Sequence, residues 1–459
     1  MTATALVPVR PVLLPTPQIP ASEVHASLGR HLLVDGFDFV LDLQASCGST
    51  LVDERDGTAY LDLFTFFASN ALGMNHPALR CDEQFAADLL DAAMNKPSNS
   101  DVYTVAMARF VDTFARVLGD PALPHLFFVE GGALAVENAL KVAFDWKSRW
   151  NATHGLDPAL GTKVLHLREA FHGRSGYTLS LTNTDPVKTE RFPTFGWPRI
   201  SSPYLGDGLD VEAREAETLA AARAAFIAHP HDIACFIMEP IQGEGGDHHF
   251  RPQFLQAMQA LCVEHDALFV LDEVQTGCGL TGTAWAYQQL GVQPDVVAFG
   301  KKTQVCGVMA GGRVDEVPDN VFHTSSRINS TWGGNLTDMV RARRILQVIE
   351  SDGLIDRARV LGEHLLRSLH ALAESHPGVG NVRGRGLMCA FSLPDAATRN
   401  QVLRLARDDE RVLLLGCGDR SIRFRPALTI SENDLEAGVA AVDRVLTRLT
   451  AAPTPVQER

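Results

Sequence analysis

Two charged residues each follow an apolar segment that has the length of a buried strand. Asp272 comes directly after the segment 267–271, and Lys301 follows the segment 296–299. Short continuous apolar runs are typical of parallel strands that are covered on both faces. A carboxylate can hold a protonated pyridine nitrogen, and an amine can form an imine with an aldehyde. The two residues together indicate the chemistry of pyridoxal phosphate (PLP).

Lys301 alone also fits a simpler interpretation, an exposed lysine beside Lys302. Two further strand ends favour the cofactor. Gly132 and Ala133 stand where a strand pattern changes to a helical one, and there backbone N–H groups and the helix dipole attract a phosphate. Phe171 could stack on a flat heterocycle, although it also fits a core position. Ligands of open α/β sheets bind outside the carboxyl ends of the strands, so these residues predict one shared site.

Polar residues near the same strand ends indicate a substrate pocket. Arg174 could bind a carboxylate through two hydrogen bonds, although it also fits a solvated arginine. Glu244 lies among glycines, which suggests a carboxylate held at a site by a flexible backbone. His248 and His249 have no third ligand at a metal-binding spacing. We therefore expect both histidines at the surface and predict no metal.

Residues 277–282 match GxGxxG, the fingerprint of dinucleotide-binding sites. That motif should begin a helix directly after a strand. Here residues 272–276 separate the apolar run from the glycines, and Asp272 is a poor neighbour for a pyrophosphate. We therefore do not favour a nicotinamide or flavin cofactor and expect these glycines to form a turn.

The composition restricts the class of protein. The 459 residues, of which 46% are hydrophobic and 21% charged, predict a soluble globular chain of two or three domains. The net charge of -14, without any block rich in lysine and arginine, argues against nucleic acid as a partner. No apolar stretch reaches the roughly 18 residues of a membrane helix. The eight cysteines lack CxxC spacing, so we expect reduced, mostly buried thiols in the cytoplasm.

The hydrophobic pattern divides the chain into four parts. We expect a flexible tail over residues 1–21, an N-terminal segment that joins a small domain over residues 22–84, a large cofactor-binding domain over residues 85–345, and a small α+β domain over residues 346–459 with a frayed end from residue 452. Helical patterns separate strand patterns at 126–129, 164–167, 233–238, 267–271 and 296–299. This alternation predicts an α/β fold with a mostly parallel, covered sheet. After Gly334 a long helical pattern continues to Leu372.

Over nearly its whole length the chain resembles the class III aminotransferases of PLP fold type I. The landmarks are segments 171–174, 239–245, 272–277, 330–335 and 383–387, and Lys301 six residues after Asp295. Three positions depart from the family pattern. Segment 131–135 lacks the hydroxyl that usually faces the phosphate, segment 302–306 lacks the usual glycines, and Leu280 replaces an arginine. These departures, with segment 95–101, resemble a narrower group, the lysine ε-aminotransferases.

The resemblance implies a fold and two sets of contacts. The fold is a large domain around a mostly parallel sheet of the seven-stranded type, plus a smaller α+β domain built from both chain ends. PLP would contact Gly132, Ala133, Phe171, His172, Asp272, Gln275, Lys301 and Thr331. Substrates would contact Arg174, Glu244, Gln275, Asn329 and Arg423. Thr331, with Asn329 close by, would come from a neighbouring subunit, which implies a homodimer with shared active sites.

The implied reaction transfers the 6-amino group of L-lysine to 2-oxoglutarate and gives 2-aminoadipate 6-semialdehyde and L-glutamate. Lys301 and Asp272 would be the catalytic residues. Arg174 would hold the distant carboxylate of lysine. 2-Oxoglutarate has a carboxylate at each end and needs a second arginine, and Arg423 would serve as that arginine. We hypothesise that Glu244 neutralises Arg423 while lysine is bound and releases it for 2-oxoglutarate.

Other functions stay open at this point. Within the family, ornithine or 4-aminobutyrate could be the amine donor. An aminomutase or a decarboxylase on the same scaffold would not depend on 2-oxoglutarate. A dinucleotide oxidoreductase would show a different cofactor absorbance. A non-catalytic binding protein is disfavoured because Lys301 and Asp272 are both present.

Overall fold

The computed structural model describes residues 18–451 of the chain. Most of the tail expected over residues 1–21, and the end expected to be frayed from residue 452, lie outside the described residues. The strands are β1 Thr50–Val52, β2 Ala59–Asp62, β3 His125–Val129, β4 Lys163–Leu167, β5 Arg199–Ile200, β6 Ile233–Met238, β7 Ile241–Gln242, β8 His248–His249, β9 Leu268–Asp272, β10 Val296–Phe299, β11 Cys306–Ala310, β12 Gly380–Arg385, β13 Met388–Ser392, β14 Val412–Leu413, β15 Leu415–Cys417 and β16 Ser421–Phe424.

The α-helices alternate with these strands in the middle of the chain and dominate its last third. They are α1 Val24–Gly29, α2 Thr65–Ala68, α3 Pro77–Arg80, α4 Glu83–Met94, α5 Val105–Val117, α6 Gly132–Thr153, α7 Gly176–Leu181, α8 Val211–Ala228, α9 Gly243–Gly246, α10 Pro252–Glu264, α11 Leu336–Ser351, α12 Leu354–Ser375, α13 Ala396–Asp408 and α14 Glu432–Ala451. Short 3-10 turns, among them Pro186–Lys188 and Lys301–Thr303, connect some of them.

The central sheet has seven strands in the order β3-β11-β10-β9-β6-β4-β5. Neighbouring strands from β10 to β5 are parallel, and β11 is antiparallel to both β10 and β3. The prediction of a mostly parallel sheet is confirmed. β11 and β5 were not among the predicted strands.

Each strand at the centre of this sheet is buried on both faces. On one face, Val270 packs in a cluster with Leu140 of α6. On the other face, Phe269 and Phe299 belong to a second cluster, in which the ring of Phe114 lies 5.0 Å from that of Phe299. Burial on both sides explains why the strand segments are apolar throughout, without the alternation of a half-exposed strand.

Strands from both ends of the chain form the smaller part of the molecule. β1 pairs with β2 in antiparallel fashion, and β14 adds to β2 in parallel, with Val412 opposite Leu61. A second antiparallel sheet has the order β12-β13-β16-β15. α12 and α13 pack on it, and α14 packs on these two helices. The expected α+β part built from both chain ends is therefore present. The boundaries at residues 84 and 345 stay predictions, and α11 crosses the second one.

The long helical pattern after Gly334 is two helices, α11 and α12. The break falls at Asp352 and Gly353, and Gly353 has a φ of 59°. This left-handed backbone is strained for residues with a Cβ but accessible to glycine. The apolar periodicity continues across the break because both helices face the same core.

The cysteines agree with the expected thiols. All eight are free, with Cys47 and Cys81 exposed and the other six buried. Cytoplasmic location stays a prediction. Within residues 18–451, no helix has both the length and the apolar character to cross a membrane.

α2 is a left-handed turn and not an ordinary helix. Its four residues, Thr65–Ala68, have φ values of 42, 51, 60 and 66°, a conformation that costs residues with a Cβ roughly 1–2 kcal/mol each. Contacts from distant parts of the chain hold the turn. The Thr65 hydroxyl donates to the carbonyl oxygen of Arg425 (2.6 Å), and the Nζ of Lys302 donates to that of Ala68 (2.7 Å).

Gly362 should not tolerate a methyl group, although it lies inside α12. Alanine at a helix interior normally stabilises by about 1 kcal/mol relative to glycine. At residue 362, however, a Cβ would overlap the backbone of Gly386, and overpacking typically costs about 1–3 kcal/mol. Gly362→Ala should therefore lower the temperature of thermal unfolding by several degrees. The control Arg367→Ala, exposed on the same helix, should leave it nearly unchanged. An unchanged or higher unfolding temperature for Gly362→Ala would contradict the close backbone contact.

Candidate active site

A cavity of about 320 Å³ lies at the carboxyl edge of the central sheet. The strand ends of β3, β6, β9 and β10 meet there, as expected for parallel strands. Eight of the predicted site residues line the cavity. The complete lining is Gly132, Ala133, Phe171, His172, Gly173, Arg174, Glu239, Ile241, Asp272, Val274, Gln275, Thr276 and Lys301.

The register of β9 and β10 brings Asp272 and Lys301 to this edge. Asp272 ends β9 and lies opposite Ala298 of β10, and Lys301 follows two residues after β10 ends. Lys301 has a φ of 54°, so its backbone turns sharply away from the strand. Burial, followed by the nearby charges of Arg423 and Arg425, lowers the pKa of the Lys301 amine to about 8. A much larger fraction of this amine is therefore neutral and nucleophilic near pH 7 than in an exposed lysine.

His172 lies against Asp272 at the bottom of the cavity. Its Nδ1 is 2.7 Å from Oδ2 of Asp272, and both side chains are buried. Burial disfavours the imidazolium, but the hydrogen bond and the charges of Asp272 and Glu239 outweigh it and raise the pKa of His172. His172 was predicted as a cofactor contact. The geometry gives it a further task, because a donor at this distance fixes the orientation of the Asp272 carboxylate.

Glu239 is a site residue to which the sequence analysis assigned no role. Its carboxylate accepts hydrogen bonds from the backbone N–H groups of Phe171 (3.0 Å) and Gly243 (3.2 Å). Burial raises its pKa to about 7. Through these two hydrogen bonds the Glu239 carboxylate connects the loop of Phe171 to the segment that carries Glu244. A carboxylate directly after the buried strand β6 was the same signal that identified Asp272, and it could have found Glu239.

The start of α6 provides the anion-binding end of the cavity. The N–H groups in the first turn of a helix have no intrahelical acceptors. Gly131, which precedes α6 with a φ of 100°, offers them no side-chain cap either. Gly132 and Ala133 both line the cavity. A Cβ at Gly132 would lie 2.9 Å from a methyl carbon of Val274, so a larger residue would narrow the space beside the helix terminus.

These residues fit PLP. The amine of Lys301 matches the aldehyde, the carboxylate of Asp272 matches the pyridine nitrogen, and the uncapped start of α6 matches the phosphate. Phe171 and Val274 supply apolar surface for the ring between these points. The buried Nε2 of His172 has no hydrogen-bond partner among the described residues, which agrees with a polar occupant of the cavity.

Glu244 and Arg423 do not line the cavity. They belong to a charged cluster with Lys188, whose Nζ lies 5.4 Å from the centre of the ring of Phe171 in the lining. Oε2 of Glu244 lies 2.8 Å from Nη2 of Arg423, whose side chain is only 3% exposed. Oε1 of Glu244 lies 2.8 Å from Nζ of Lys188. Burial disfavours the Glu244 carboxylate, but Arg423 and Lys188 outweigh this effect and lower its pKa. Arg174 lines the cavity but is exposed to solvent, which suits a residue that meets the outer end of a substrate.

Arg425 is a second residue that the sequence analysis left without a role. Its Nε donates to Oε1 of Gln275 (3.0 Å), and its guanidinium pairs with Asp247 in the interior. It therefore positions Gln275, a predicted contact of both cofactor and substrate. Arg425 comes directly after the buried strand β16, and a charged residue at the end of a buried strand was a usable signal.

Thr331 and Asn329 do not join the other predicted site residues. Both are exposed and neither lines the cavity of the same chain. The resemblance assigns both to the site of a neighbouring subunit, and their exposure is compatible with that assignment.

The glycine-rich segment 277–282 and the two adjacent histidines lie outside the cavity lining. Residues 277–282 form turns instead of the start of a helix, and Gly282 packs against Arg359 of α12. The expectation that His248 and His249 are surface residues is wrong. His249 is buried, and burial lowers its pKa to about 3. His248 is partly buried, and its Nδ1 lies 3.0 Å from Glu169.

Lys302 is also not the exposed neighbour of Lys301 that the simpler interpretation assumed. Its side chain is buried, with 1% of the residue exposed, and its Nζ is bonded to the Ala68 carbonyl oxygen. The cavity lining includes Lys301 and not Lys302. The two adjacent lysines thus have separate environments.

Comparison with known proteins gives the family. The model of the family "Aminotransferase class-III" matches residues 35–446. The chain belongs to the class-III aminotransferases. Enzymes of this family use PLP, so the predicted enzyme class and cofactor are confirmed.

The chain is similar to several curated aminotransferases. It is 67% identical to the L-lysine-epsilon aminotransferase of Mycobacterium tuberculosis over 431 residues, which cover 93% of this chain and 96% of that protein. It is 60% identical to the L-lysine-epsilon aminotransferase of Streptomyces clavuligerus over 445 residues, with 95% of each chain covered. These relatives confirm the resemblance to the narrower group.

A solved structure confirms the fold. The lysine aminotransferase of M. tuberculosis in its internal aldimine form superposes on this chain with a TM-score of 0.93. The two chains are 66% identical, and the match covers 94% of this chain and 100% of that one. The predicted α/β fold of PLP fold type I is therefore confirmed.

The two adjacent lysines allow a direct test of the cofactor attachment. Lys301→Ala should abolish the absorbance near about 420 nm that a protonated imine of PLP gives. Lys302→Met should keep this band, because Lys302 is bonded to the Ala68 carbonyl oxygen. Visible spectra of the purified proteins measure both. In wild-type protein reduced with borohydride, peptide mass analysis should locate the cofactor on residue 301. Attachment at residue 302 would refute the assignment.

Proposed function

We propose that this aminotransferase transfers the 6-amino group of L-lysine to 2-oxoglutarate. The products are 2-aminoadipate 6-semialdehyde and L-glutamate. The observation that carries the proposal is the Glu244–Arg423 ion pair beside the cavity. While the pair is formed, Arg423 cannot bind a substrate carboxylate, and when the pair breaks, it can. The lysine-epsilon aminotransferases that share 60–67% of its residues support lysine as the donor.

Bound PLP supplies an aldehyde carbon and a ring that withdraws electrons from the bond to be broken. Lys301 would hold the cofactor through its Nζ and would act as general base and acid for the proton that moves during transfer. Asp272, fixed by His172, would keep the pyridine nitrogen protonated. Phe171 and Gln275, which line the cavity, would hold the ring, and the backbone N–H groups of Gly132 and Ala133 would hold the phosphate.

Two different substrates must use one cavity. Lysine presents its terminal amine, so its carboxylate lies at the outer end, where Arg174 is exposed. During this half-reaction Glu244 keeps Arg423 paired, since an unpaired buried cation is costly. 2-Oxoglutarate carries a carboxylate next to its reacting carbon, and Arg423 binds it after Glu244 moves away. Arg174 then holds the second carboxylate of 2-oxoglutarate.

A homodimer completes the site in this proposal. Thr331 would contribute its hydroxyl to the phosphate-binding end of the neighbouring subunit's cavity, with Asn329 close by. An apolar surface next to Thr331 supports this arrangement. Tyr103 is 79% exposed, and Val102 and Trp332 are also exposed. Exposed large apolar side chains of this kind are common at protein interfaces.

A donor panel tests the function. With 2-oxoglutarate as acceptor, lysine should give kcat/KM at least about tenfold above ornithine and 4-aminobutyrate, which corresponds to roughly 1.4 kcal/mol. Glutamate formation is measured for each donor. Omission of 2-oxoglutarate is the control, because a decarboxylase or an aminomutase would still consume lysine. Faster transfer from ornithine or 4-aminobutyrate would reassign the donor within the family.

Glu244→Ala should affect the two half-reactions unequally. Loss of the Glu244 carboxylate leaves the buried Arg423 without this partner. Arg423 could then bind the carboxylate of lysine, which would bring the 2-amino group instead of the 6-amino group to the reacting position. The lysine half-reaction should therefore slow by about tenfold or more, about 1.4 kcal/mol, while the 2-oxoglutarate half-reaction changes much less. Single-turnover measurements of each half separate the two. Glu190→Ala removes an exposed carboxylate nearby and serves as the control. Equal losses in both halves would exclude the Glu244 switch.

A further inference from the structure

The Glu244 carboxylate bridges two cationic side chains from different parts of the chain. Oε2 contacts Nη2 of Arg423 in β16, and Oε1 contacts Nζ of Lys188, both at 2.8 Å. Each oxygen therefore has its own cation. With Arg423 as its only partner, Glu244 would be paired in one state of the switch and unpaired in the other. The second contact gives the carboxylate a partner that stays in place when the first contact breaks.

Lys188 is held where it can serve this purpose. It ends the 3-10 turn Pro186–Lys188, which Asp185 caps by accepting from the backbone N–H of Val187 (3.0 Å). The Lys188 ammonium also donates to the hydroxyl of Thr184 (3.1 Å). Its side chain is 13% exposed, so water screens the contact with Glu244 only in part.

Lys188 also borders the cofactor region. Its Nζ lies 5.4 Å from the centre of the Phe171 ring, within the range of a cation–π contact. Phe171 lines the cavity. A Glu244 carboxylate that leaves Arg423 and keeps its contact with Lys188 therefore stays close to Phe171 and the cavity.

We propose that Lys188 is a specificity-determining positioning residue, which holds Glu244 while Arg423 binds the carboxylate of the keto acid acceptor. Without Lys188, release of Arg423 would leave the Glu244 carboxylate half-buried and without a cationic partner, which disfavours the open state. With Lys188, one ion pair persists through both half-reactions. The ammonium thereby lowers the free-energy cost of exchanging an amine donor for a dicarboxylate acceptor.

This inference rests on the proposed two-substrate function, so its test must be separable from that function. Isotope exchange between glutamate and 2-oxoglutarate reports the acceptor half alone and needs no lysine. In the holoenzyme, Lys188→Met should raise the KM for 2-oxoglutarate in this exchange at least tenfold, with a much smaller change in kcat. The lysine half-reaction, measured in single turnovers, should change several-fold less than the exchange.

Two further variants separate positioning from a general structural role. Lys188→Arg keeps the cation and should bring the KM for 2-oxoglutarate back to within about threefold of wild type. In the Glu244→Ala background, Lys188→Met should have no additional effect on the exchange, because the carboxylate it holds is absent. Unfolding temperatures of the variants exclude loss of structure as the cause.

The outcomes that overturn the inference are distinct from failure of the proposed function. Equal losses in both half-reactions, no rescue by arginine, or the same loss without Glu244 would each show that Lys188 does not act through this carboxylate. A wild-type enzyme that exchanges glutamate with 2-oxoglutarate but does not consume lysine would refute the proposed donor, and the Lys188 measurement would still decide its own question. Absence of any exchange in the wild type would overturn both.

Discussion

The parallel register between β9 and β10 determines where the chemistry of this enzyme takes place. It sets Asp272 opposite Ala298 and thereby brings Lys301 to the same edge of the sheet. Buried charges are costly unless they are paired. The residues around Asp272 and Lys301 therefore stabilise the charge of the first and permit the neutral form of the second. His172 bonds to Asp272 at 2.7 Å, and the amine of Lys301 has its pKa lowered to about 8, where the neutral form is accessible.

The smaller domain takes part in the electrostatics of the cavity. β16 carries Arg423 and leads into Arg425, and both positive charges contribute to the lowered pKa of Lys301. Arg425 also orients Gln275 from that side. The large domain supplies the groups that the cofactor matches, whereas the small domain supplies cations that tune them. Movement of one part against the other would therefore change both the reactivity of the lysine and the carboxylate sites.

The strand ends were predictable because a strand buried on both faces leaves a continuous apolar run. β6 and β10 agree residue for residue with the predicted segments 233–238 and 296–299. β11 escaped prediction because its five residues include Gly307 and follow a polar stretch. The residues that line the cavity could be predicted because they follow strand ends and have suitable side chains. The contact between Lys188 and Glu244 could not, because Lys188 lies in a polar turn 56 residues before Glu244 and only folding brings the two together.

The pairing of β2 with β14 has a consequence for synthesis of the chain. A ribosome releases residues 59–62 long before residues 412–425, yet β2 needs β14, and the left-handed α2 needs the backbone of Arg425. Contacts this distant in sequence slow folding. The N-terminal hairpin can therefore acquire these partners only after residues 412–425 have left the ribosome. Because the charge of Arg425 helps to lower the pKa of Lys301, the reactivity of the lysine also depends on this late-made segment.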